Sequence, residues 1–293
     1  MRTYTIEDFN SQFPDNDACL DWLRHKLYPE RIDCLSCKQS TLFHRVRGRK
    51  VYECDGCGYQ LSPTAGTILD HSPTPLKSWF YAAFLMSTTR TGISAMQLKR
   101  ELGVTYKTAW RIFSQVRKLM AQDGGSLFGA IEADETYVGG KHAGKRGRGA
   151  AGKTIVAGIV ERKGKASVQV VHDVKANTLI PIIQEHIPAV PGTVIYTDEM
   201  SSYTKLASLG YAHETVLHAA KQYVNGAAHT QTIDGLWSNV KRGIDGVNHA
   251  VSPQHLQSYL DSYVFRYNHR YEEQPMFQTL LGRVPVVKDE RAL

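Results

Sequence analysis

The sequence predicts an α/β fold with a mixed sheet in the second half of the chain, preceded by a small cysteine-bearing module and a helical segment. Three observations support this prediction. Two closely spaced Cys-x-x-Cys pairs lie near the N-terminus, helical periodicity follows them, and β-rich runs alternate with amphipathic helices after residue 125. Strands in a run, followed by alternating helices and strands, pack as layers around a mixed sheet.

The composition is that of a globular protein with a basic surface. The chain has 293 residues, of which 42% are hydrophobic and 22% charged, and its net charge is +7. No apolar run reaches membrane-spanning length and no signal-peptide core is visible, so we expect a cytoplasmic location. A basic balance favours a polyanionic partner such as nucleic acid. The basic residues gather in three groups: Arg45, Arg47, Arg49 and Lys50; Lys141, Lys145, Arg146, Arg148 and Lys153; Lys241 and Arg242.

The first 29 residues predict a pair of amphipathic helices. Apolar residues recur there at helical spacing, namely Phe9, Phe13, Cys19, Leu20, Trp22, Leu23 and Leu27. Cys19 is the odd one of five cysteines, and we expect it to be buried in a helix.

The other four cysteines have metal-ligand spacing. Cys34-x-x-Cys37 and Cys54-x-x-Cys57 are separated by residues 38 to 53. Without an export signal, paired cysteines bind metal more often than they form disulfides. Two such knuckles supply four thiolates to a tetrahedral Zn²⁺, and a closed site of this kind is structural.

Residues 30–64 therefore predict a zinc ribbon. Two short strands are expected at 41–46 and 50–53, around Gly48, and Gly56 and Gly58 supply backbone freedom to the second knuckle. The basic hairpin between the knuckles makes DNA the expected partner of the ribbon.

Residues 65–122 are predicted to be helical and to include a helix-turn-helix. One helix ends near Leu102, Gly103 permits the turn, and Thr105 caps the next helix. The second helix would expose residues suited to phosphate and base contacts, namely Tyr106, Lys107 and Arg111. The alternative is an ordinary helical hairpin that packs on the domain that follows.

Residues 126–275 predict the α/β domain, and 276–293 a C-terminal tail. Strands are expected at 128–138, 154–160, 167–171, 193–196 and 214–217, the first three as a meander. Helices are expected at 179–186, 203–209, 232–244 and 253–267. The glycine-rich, basic stretch 139–152 is predicted to be a flexible, DNA-facing loop.

Three aspartates stand at positions where this domain could use them. Glu132 and Asp134 share one face of a strand, Asp198 ends a strand, and Asp234 lies in the first turn of a helix. Two divalent ions about 4 Å apart need carboxylates on both sides, and hard oxygen ligands favour Mg²⁺ or Mn²⁺. Taken singly, each aspartate is better explained as a cap, a turn residue or a solvated charge.

The order and the local strings of these acids resemble the DDE transposases with an RNase H-like catalytic domain. They are most similar to the insertion-sequence group that carries an N-terminal zinc ribbon, and the resemblance covers about residues 15 to 275. The matching strings are EADETYVGG at 132–140, YTDE at 196–199, HTQTIDGLWSNVKRG at 229–243, YNHR at 267–270 and SPTAGT at 62–67.

This resemblance implies a site and a reaction. Asp134 and Asp198 would ligate two Mg²⁺ or Mn²⁺ ions, Asp234 occupies the third acidic position, and Lys241 would contact substrate DNA. The enzyme would hydrolyse transposon ends to free 3′-hydroxyls and join these to target DNA. The partners implied are terminal inverted repeats, target DNA and a second copy of the chain or more, with the nucleoid as the location. Further DNA-contacting residues would be Arg242, Lys145, Arg146, Arg148, Lys107 and Arg111.

One position departs from the family pattern. The third acid is usually Glu, and Asp234 is shorter by one methylene, which near-ideal Mg²⁺ geometry tolerates poorly. A catalytically decayed or repurposed transposase that acts as a zinc-ribbon DNA-binding protein is therefore the alternative, and a zinc-ribbon accessory factor of transcription is a third hypothesis. His229 would hydrogen-bond DNA, hydrogen-bond a carboxylate or have a structural role. Trp237 is expected in the core.

Overall fold

The computed structural model describes residues 4–139, 153–216 and 229–284. Its helices are α1 (Ile6–Gln12), α2 (Asn16–Leu27), α3 (Leu76–Thr88), α4 (Ala95–Leu102), α5 (Tyr106–Leu119), α6 (Ala176–His186), α7 (Gln231–Gly243), α8 (Pro253–Asn268) and α9 (Met276–Gly282). Its strands are β1 (Ile32–Asp33), β2 (Ser40–Thr41), β3 (Phe43–Arg45), β4 (Tyr52–Cys54), β5 (Gln60–Leu61), β6 (Ala130–Val138), β7 (Thr154–Glu161), β8 (Ala166–Val171), β9 (Val194–Asp198) and β10 (Ala212–Val216). None of these helices is long and apolar enough to cross a membrane.

The described residues form two compact units. The first draws on the chain up to Thr89, on Ala95–Leu119 and on the residues from Glu272 onwards, and the second on Arg90–Ser94 and Met120–Tyr271. The first unit thus combines the N-terminal helices, the cysteine-bearing module, α4, α5 and α9.

An aromatic cluster forms the centre of the helical part of the first unit. Phe9 of α1 stacks on Phe84 of α3 with ring centroids 5.4 Å apart, and Phe277 of α9 meets Phe84 edge-on at 5.7 Å. Thr5 and Asp8 start α1 with a capping box. The segment after residue 275, for which the sequence predicts only a tail, therefore includes a helix whose Phe277 is fully buried. Cys19 is also fully buried, as expected.

The second unit is built on a five-stranded mixed sheet with the strand order β10-β9-β6-β7-β8. Strands β6, β7 and β8 pair antiparallel as the predicted meander, whereas β9 runs parallel to β6 and β10 parallel to β9. One face of the sheet packs against α6, with Ile131 and Ile183 in its core, and the other packs against α7 and α8. The predicted α/β fold with a mixed sheet is confirmed.

The open edge of β8 is closed by side-chain amides. Gln122 and the backbone of Val168 exchange two hydrogen bonds of 2.8 and 2.9 Å, and Asn268 does the same with Ala166. Gln257 accepts from the Val170 amide at 2.8 Å. These amides occupy the backbone groups that an additional strand would use.

The helix predicted at 203–209 is wrong. This stretch forms two short 3₁₀ turns, Ser201–Tyr203 and Ala207–Leu209, and Gly210 ends it with a φ of 89°. Hydroxyls compete with the helical pattern here, since Thr204 donates to the Ser201 carbonyl and Ser208 to the Lys205 carbonyl.

Candidate active site and metal centre

The four paired cysteines converge on one point of the first unit. Their sulfur atoms all lie within 4.8 Å of one another, with Cys34 Sγ 3.6 Å from Cys57 Sγ and Cys37 Sγ 3.8 Å from Cys54 Sγ. Four thiolates 2.3 Å from a tetrahedral Zn²⁺ would be about 3.8 Å apart. The cluster therefore fits one zinc ion.

Both knuckles have the same backbone construction. The amide of the residue after each pair donates to the carbonyl of its first cysteine, from Lys38 to Cys34 and from Gly58 to Cys54, both at 2.9 Å. Lys38 and Gly58 adopt φ values of 60° and 74°, in the left-handed region. The freedom expected of Gly58 is thus used, while Gly56 does not adopt a positive φ.

The basic hairpin of the ribbon is partly engaged within the unit. Strands β3, β4 and β5 form one antiparallel sheet, in which Arg45 pairs with Asp17 and Asp21 of α2. Lys50 donates to the Ser72 carbonyl at 3.0 Å. Arg47 and Arg49 at the hairpin tip are exposed, and Lys50 is exposed as well.

The helix-turn-helix prediction agrees with the local structure of α4 and α5. Gly103 adopts a φ of 63° between them, and the Thr105 hydroxyl accepts from the Thr108 amide at 3.3 Å, as an N-cap residue does. Lys107 and Arg111 are exposed on α5, and 48% of the Tyr106 surface is accessible. Helix α5 thus presents a basic and aromatic face to solvent.

The sheet of the second unit brings Asp134 and Asp198 to neighbouring positions. In the parallel ladder between β6 and β9, Ala130 pairs with Val194 and Glu132 with Tyr196. The ladder ends two residues before Asp134 on β6 and two residues before Asp198 on β9, so the two aspartates follow it on adjacent strands. The carboxyl end of β9 and the middle of β6 therefore meet at one edge of the site.

Asp234 comes to the same place from α7. Burial raises the pKa of Asp134 to about 6, and the negative charges of Asp198 and Asp234 act in the same direction, while hydrogen bonds from Trp237 and the Glu135 amide lower it. Among the described residues, the four cysteines are the only cluster of His, Cys, Asp or Glu side chains found close enough together to hold a metal ion.

Trp237 is one of the α7 residues that pack against the sheet. It is 4% exposed, in the core as expected, and its Nε1–H donates to Asp134 Oδ2 at 3.0 Å. The sequence analysis missed this hydrogen bond. Its signal was the spacing of Asp234 and Trp237, which share one helix face at i and i+3.

Glu132 is a second group that sequence reasoning did not assign. Its side chain is fully buried and accepts hydrogen bonds from the amides of Thr232 and Ile233, while Arg162 pairs with it at 2.7 Å. His229 Nδ1 lies 3.2 Å from the same carboxylate, within ion-pair distance, but makes no hydrogen bond to it. The structure therefore places His229 beside a carboxylate without showing the expected hydrogen bond.

The remaining basic residues singled out from the sequence fall into two groups. Lys241 and Arg242 are exposed in the last turn of α7, where Arg242 also donates to Asn239 Oδ1 at 2.8 Å. Lys145, Arg146 and Arg148, with most of the predicted loop at 139–152, lie outside the described residues.

Acidic residues lie on adjacent strands of the mixed sheet and on the helix that packs across them. This arrangement agrees with the RNase H-like domains, the class that the sequence motifs indicate. Residues 126–268 match the family model of the ISXO2-like transposase domain. An uncharacterized transposase-like protein of Haemophilus influenzae is 30% identical over 111 residues, which are 36% of this chain and 83% of that protein.

A second relative matches most of the chain. An uncharacterized protein in transposable element ISH50 of Halobacterium salinarum is 27% identical over 265 residues, 80% of this chain and 85% of that protein. The crystal structure of a pre-cleavage Mos1 transpososome overlaps with a TM-score of 0.27 at 12% identity, over 67% of this chain and 74% of that one. The protein belongs to the insertion-sequence transposases of the DDE superfamily.

Proposed function

We propose that the protein is a DNA transposase that binds transposon ends, hydrolyses them to free 3′-hydroxyls and joins these to target DNA. The observation that carries the proposal is the electrostatic interaction of Asp134 with Asp198 and Asp234, which lie on two strands and a helix of a transposase-family domain. The negative charges of Asp198 and Asp234 both act on the partly buried Asp134, although long stretches of chain separate the three residues.

The donor set of this point suits hard divalent cations. Asp134, Asp198 and Asp234 would hold two Mg²⁺ or Mn²⁺ ions, which prefer carboxylate oxygens. Burial raises the pKa of Asp134, and repulsion from Asp198 and Asp234 adds to the rise; bound cations would offset that repulsion. When bound, such ions activate the attacking oxygen and stabilise the leaving oxygen of a phosphodiester.

The chain's own side chains orient the acids and hold the DNA. Trp237 fixes one oxygen of Asp134 through its indole N–H. Lys241 lies two turns after Asp234 on α7 and is exposed, so it is available for a phosphate of the substrate. Arg242, together with Lys145, Arg146 and Arg148, would add further phosphate contacts.

The zinc ribbon and α5 would bind DNA outside the active site. Cys34, Cys37, Cys54 and Cys57 would hold a structural Zn²⁺. Lys107 and Arg111 on the exposed face of α5, and the exposed hairpin tip of the ribbon, carry the charge that phosphates attract. Because two transposon ends must be joined in one event, we propose that the protein acts as a dimer or a larger assembly.

The test is a strand-cleavage assay on DNA that bears the inverted repeats flanking the gene. Wild-type protein should nick these ends and join them to target DNA with Mg²⁺ or Mn²⁺, and not with EDTA. Asp134→Asn and Asp198→Asn should abolish both steps while DNA binding persists. Binding by every variant, with no cleavage even by wild type, would contradict the proposal.

The same assay separates the alternative function. The shorter third acid, Asp234, favours a repurposed transposase that binds DNA without cutting it. Such a protein should stay inactive as wild type and gain nicking as Asp234→Glu, since the added methylene restores reach toward an ion. An active wild type with a slower or equal Asp234→Glu variant supports the transposase instead.

A further inference from the structure

Glu132 lies in the middle of β6, two residues before Asp134 and on the same face of the strand. It pairs with Tyr196 of β9 on one side and with Val160 of β7 on the other, and its side chain is fully buried. A buried carboxylate is retained where specific donors surround it. The donors that the structure shows belong to α7 and to Arg162.

The start of α7 depends on this carboxylate. In the part of the chain that is described, the N-cap residue Thr230 makes no side-chain hydrogen bond to the helix. The amides of Thr232 and Ile233, the second and third residues of the helix, instead donate to Glu132 Oε2 at 2.8 and 2.9 Å. Glu132 therefore does for α7 what an N-cap side chain does, from a different secondary-structure element.

The second oxygen of Glu132, Oε1, accepts the remaining hydrogen bonds, which come from Thr232 and Arg162. Oε1 accepts from the Thr232 hydroxyl at 2.9 Å and from Arg162 Nε at 2.7 Å. Another nitrogen of Arg162 donates to the His229 carbonyl at 2.7 Å, and its guanidinium lies 4.2 Å from the ring centroid of Tyr196. Strand β6, the turn after β7 and the entry to α7 are thus joined at one carboxylate.

We propose that Glu132 is a positioning residue that sets the distance between Asp134 and Asp234; this inference rests on the proposed function. Strand β6 carries both Glu132 and Asp134, and the first turn of α7 carries both the capped amides and Asp234. Each acid is within two residues of the contact that joins the two elements. Because Asp234 has a short side chain, the approach of α7 to the sheet decides whether its carboxylate reaches the site.

The experiment is a double-mutant cycle between positions 132 and 234. Glu132→Gln should lower single-turnover cleavage by between about tenfold and hundredfold, the loss expected for a small misplacement of a reacting group. DNA affinity should stay at the wild-type value. In the Glu132→Gln background, Asp234→Glu should recover part of the rate, because the longer acid compensates for a helix that has moved away. A merely structural role predicts additive losses instead, and additivity would overturn the proposal.

A readout independent of activity separates this inference from the proposed function. Amide hydrogen exchange at Thr232 and Ile233 should be about tenfold faster in Glu132→Gln, because the single acceptor oxygen of glutamine cannot serve both the α7 amides and Arg162, so the cap is weakened and the first turn opens locally. Glu185→Gln, which removes an exposed glutamate of α6, is the matched control and should leave exchange and cleavage unchanged. Unchanged exchange in Glu132→Gln would overturn the capping role even if the enzyme is active. If the wild-type protein does not cleave DNA and the amides still exchange faster in Glu132→Gln than in wild type, the capping role is supported and the proposed function is contradicted.

A milder variant covers the case in which Glu132→Gln does not fold. Thr232→Val removes one donor to Glu132 and keeps the charge pair with Arg162. It should reduce cleavage and protection of the Ile233 amide in the same direction and by a smaller factor. Wild-type values for both quantities in a folded Thr232→Val protein would contradict the inference.

Discussion

The indole of Trp237 occupies the space where a side chain on Gly158 would begin. A Cβ atom at position 158 would lie 2.5 Å from Cη2 and 2.6 Å from Cζ2 of that ring. Gly158 is also the residue of β7 that pairs with Asp134 of β6. Because Gly158 has no side chain, Trp237 can lie across β6 and β7 and donate its indole N–H to Asp134.

Gly158→Ala should consequently destabilise the protein and impair the site. The added methyl group cannot be accommodated without displacing the ring, and overpacking of this kind costs about 1–3 kcal/mol in the free energy of unfolding. Denaturant unfolding and the cleavage assay measure the two effects. Gly235→Ala on α7 is the control: a Cβ there meets nothing within 4 Å, so it should stabilise by about 0.5–1 kcal/mol through helix propensity. Equal stability of the two variants would show that the ring does not need the space.

At neutral pH, the metal-free protein should be less stable with Asp134 than with an asparagine at the same position. Its pKa in the fold is raised from 3.8 to about 6. Below pH 3.8 the carboxyl is neutral in both the folded and the unfolded protein, and above pH 6 it is charged in both. Its destabilising effect therefore grows as the pH rises between these two values and is complete at neutral pH. At 1.36 kcal/mol per pKa unit, the effect is at most about 3 kcal/mol.

Asp134→Asn in EDTA should therefore raise the free energy of unfolding at pH 7.5 by about 1–3 kcal/mol, with the gain fading toward pH 4. Asp173→Asn is a control of opposite sign, because hydrogen bonds from Thr178 and Lys175 lower the pKa of Asp173. That variant should lose stability at neutral pH. A pH-independent gain in Asp134→Asn would mean that the carboxylate is not the cause.

The hydrogen bond from Trp237 should set the acid limb of the pH–activity profile. The indole N–H lowers the pKa of Asp134, and a metal-binding carboxylate must be deprotonated. Trp237→Phe keeps an aromatic ring and loses the N–H, so the acid limb should move to higher pH in Mg²⁺. Trp110→Phe, a tryptophan of α5 in the first unit, should leave the limb where it is. Superimposable profiles for wild type and Trp237→Phe would rule out this role.

The ribbon should bind one zinc ion per chain through its four paired cysteines. Cys37→Ser or Cys57→Ser should lose the ion and unfold the ribbon, because such small modules are held together by their metal. Cys19→Ala is the matched control: Cys19 lies in the helical core, so the variant should keep one zinc per chain while losing some stability. Metal analysis of purified protein gives the stoichiometry, and zinc retained by Cys57→Ser would disprove the assignment.

Exposed basic residues on α5 should contact DNA phosphates. Lys107→Ala should weaken binding to all sequences and reduce the slope of log affinity against log salt by about 1. Lys175→Ala supplies a control, since Lys175 is an exposed lysine whose Nζ lies 3.7 Å from Asp173. Binding titrations at several salt concentrations measure the slope. An unchanged slope for Lys107→Ala would leave α4 and α5 as a helical hairpin without a DNA contact.

Much of this protein is readable from the sequence alone because the relevant signals are local. Cys-x-x-Cys spacing determines that two ligands share one knuckle, and the turn chemistry of Gly103 and Thr105 determines where one helix ends and the next begins. Alternation in β6 predicts that Glu132 and Asp134 share a face. The three aspartates needed the family motifs as well, since each single carboxylate has an ordinary structural explanation.

The tertiary structure decided which partners these residues find, because those contacts join positions far apart in the chain. Glu132 meets Thr232 across 100 residues, and Trp237 meets Asp134 across 103. Arg45 and Lys50 look like free positive charge in the sequence and are engaged within the first unit. The contacts of Asp134 and Asp234 follow from how α7 packs on the sheet, which no local pattern encodes. The sequence determines that the chain has these acids, and packing determines where they lie relative to one another in the proposed site.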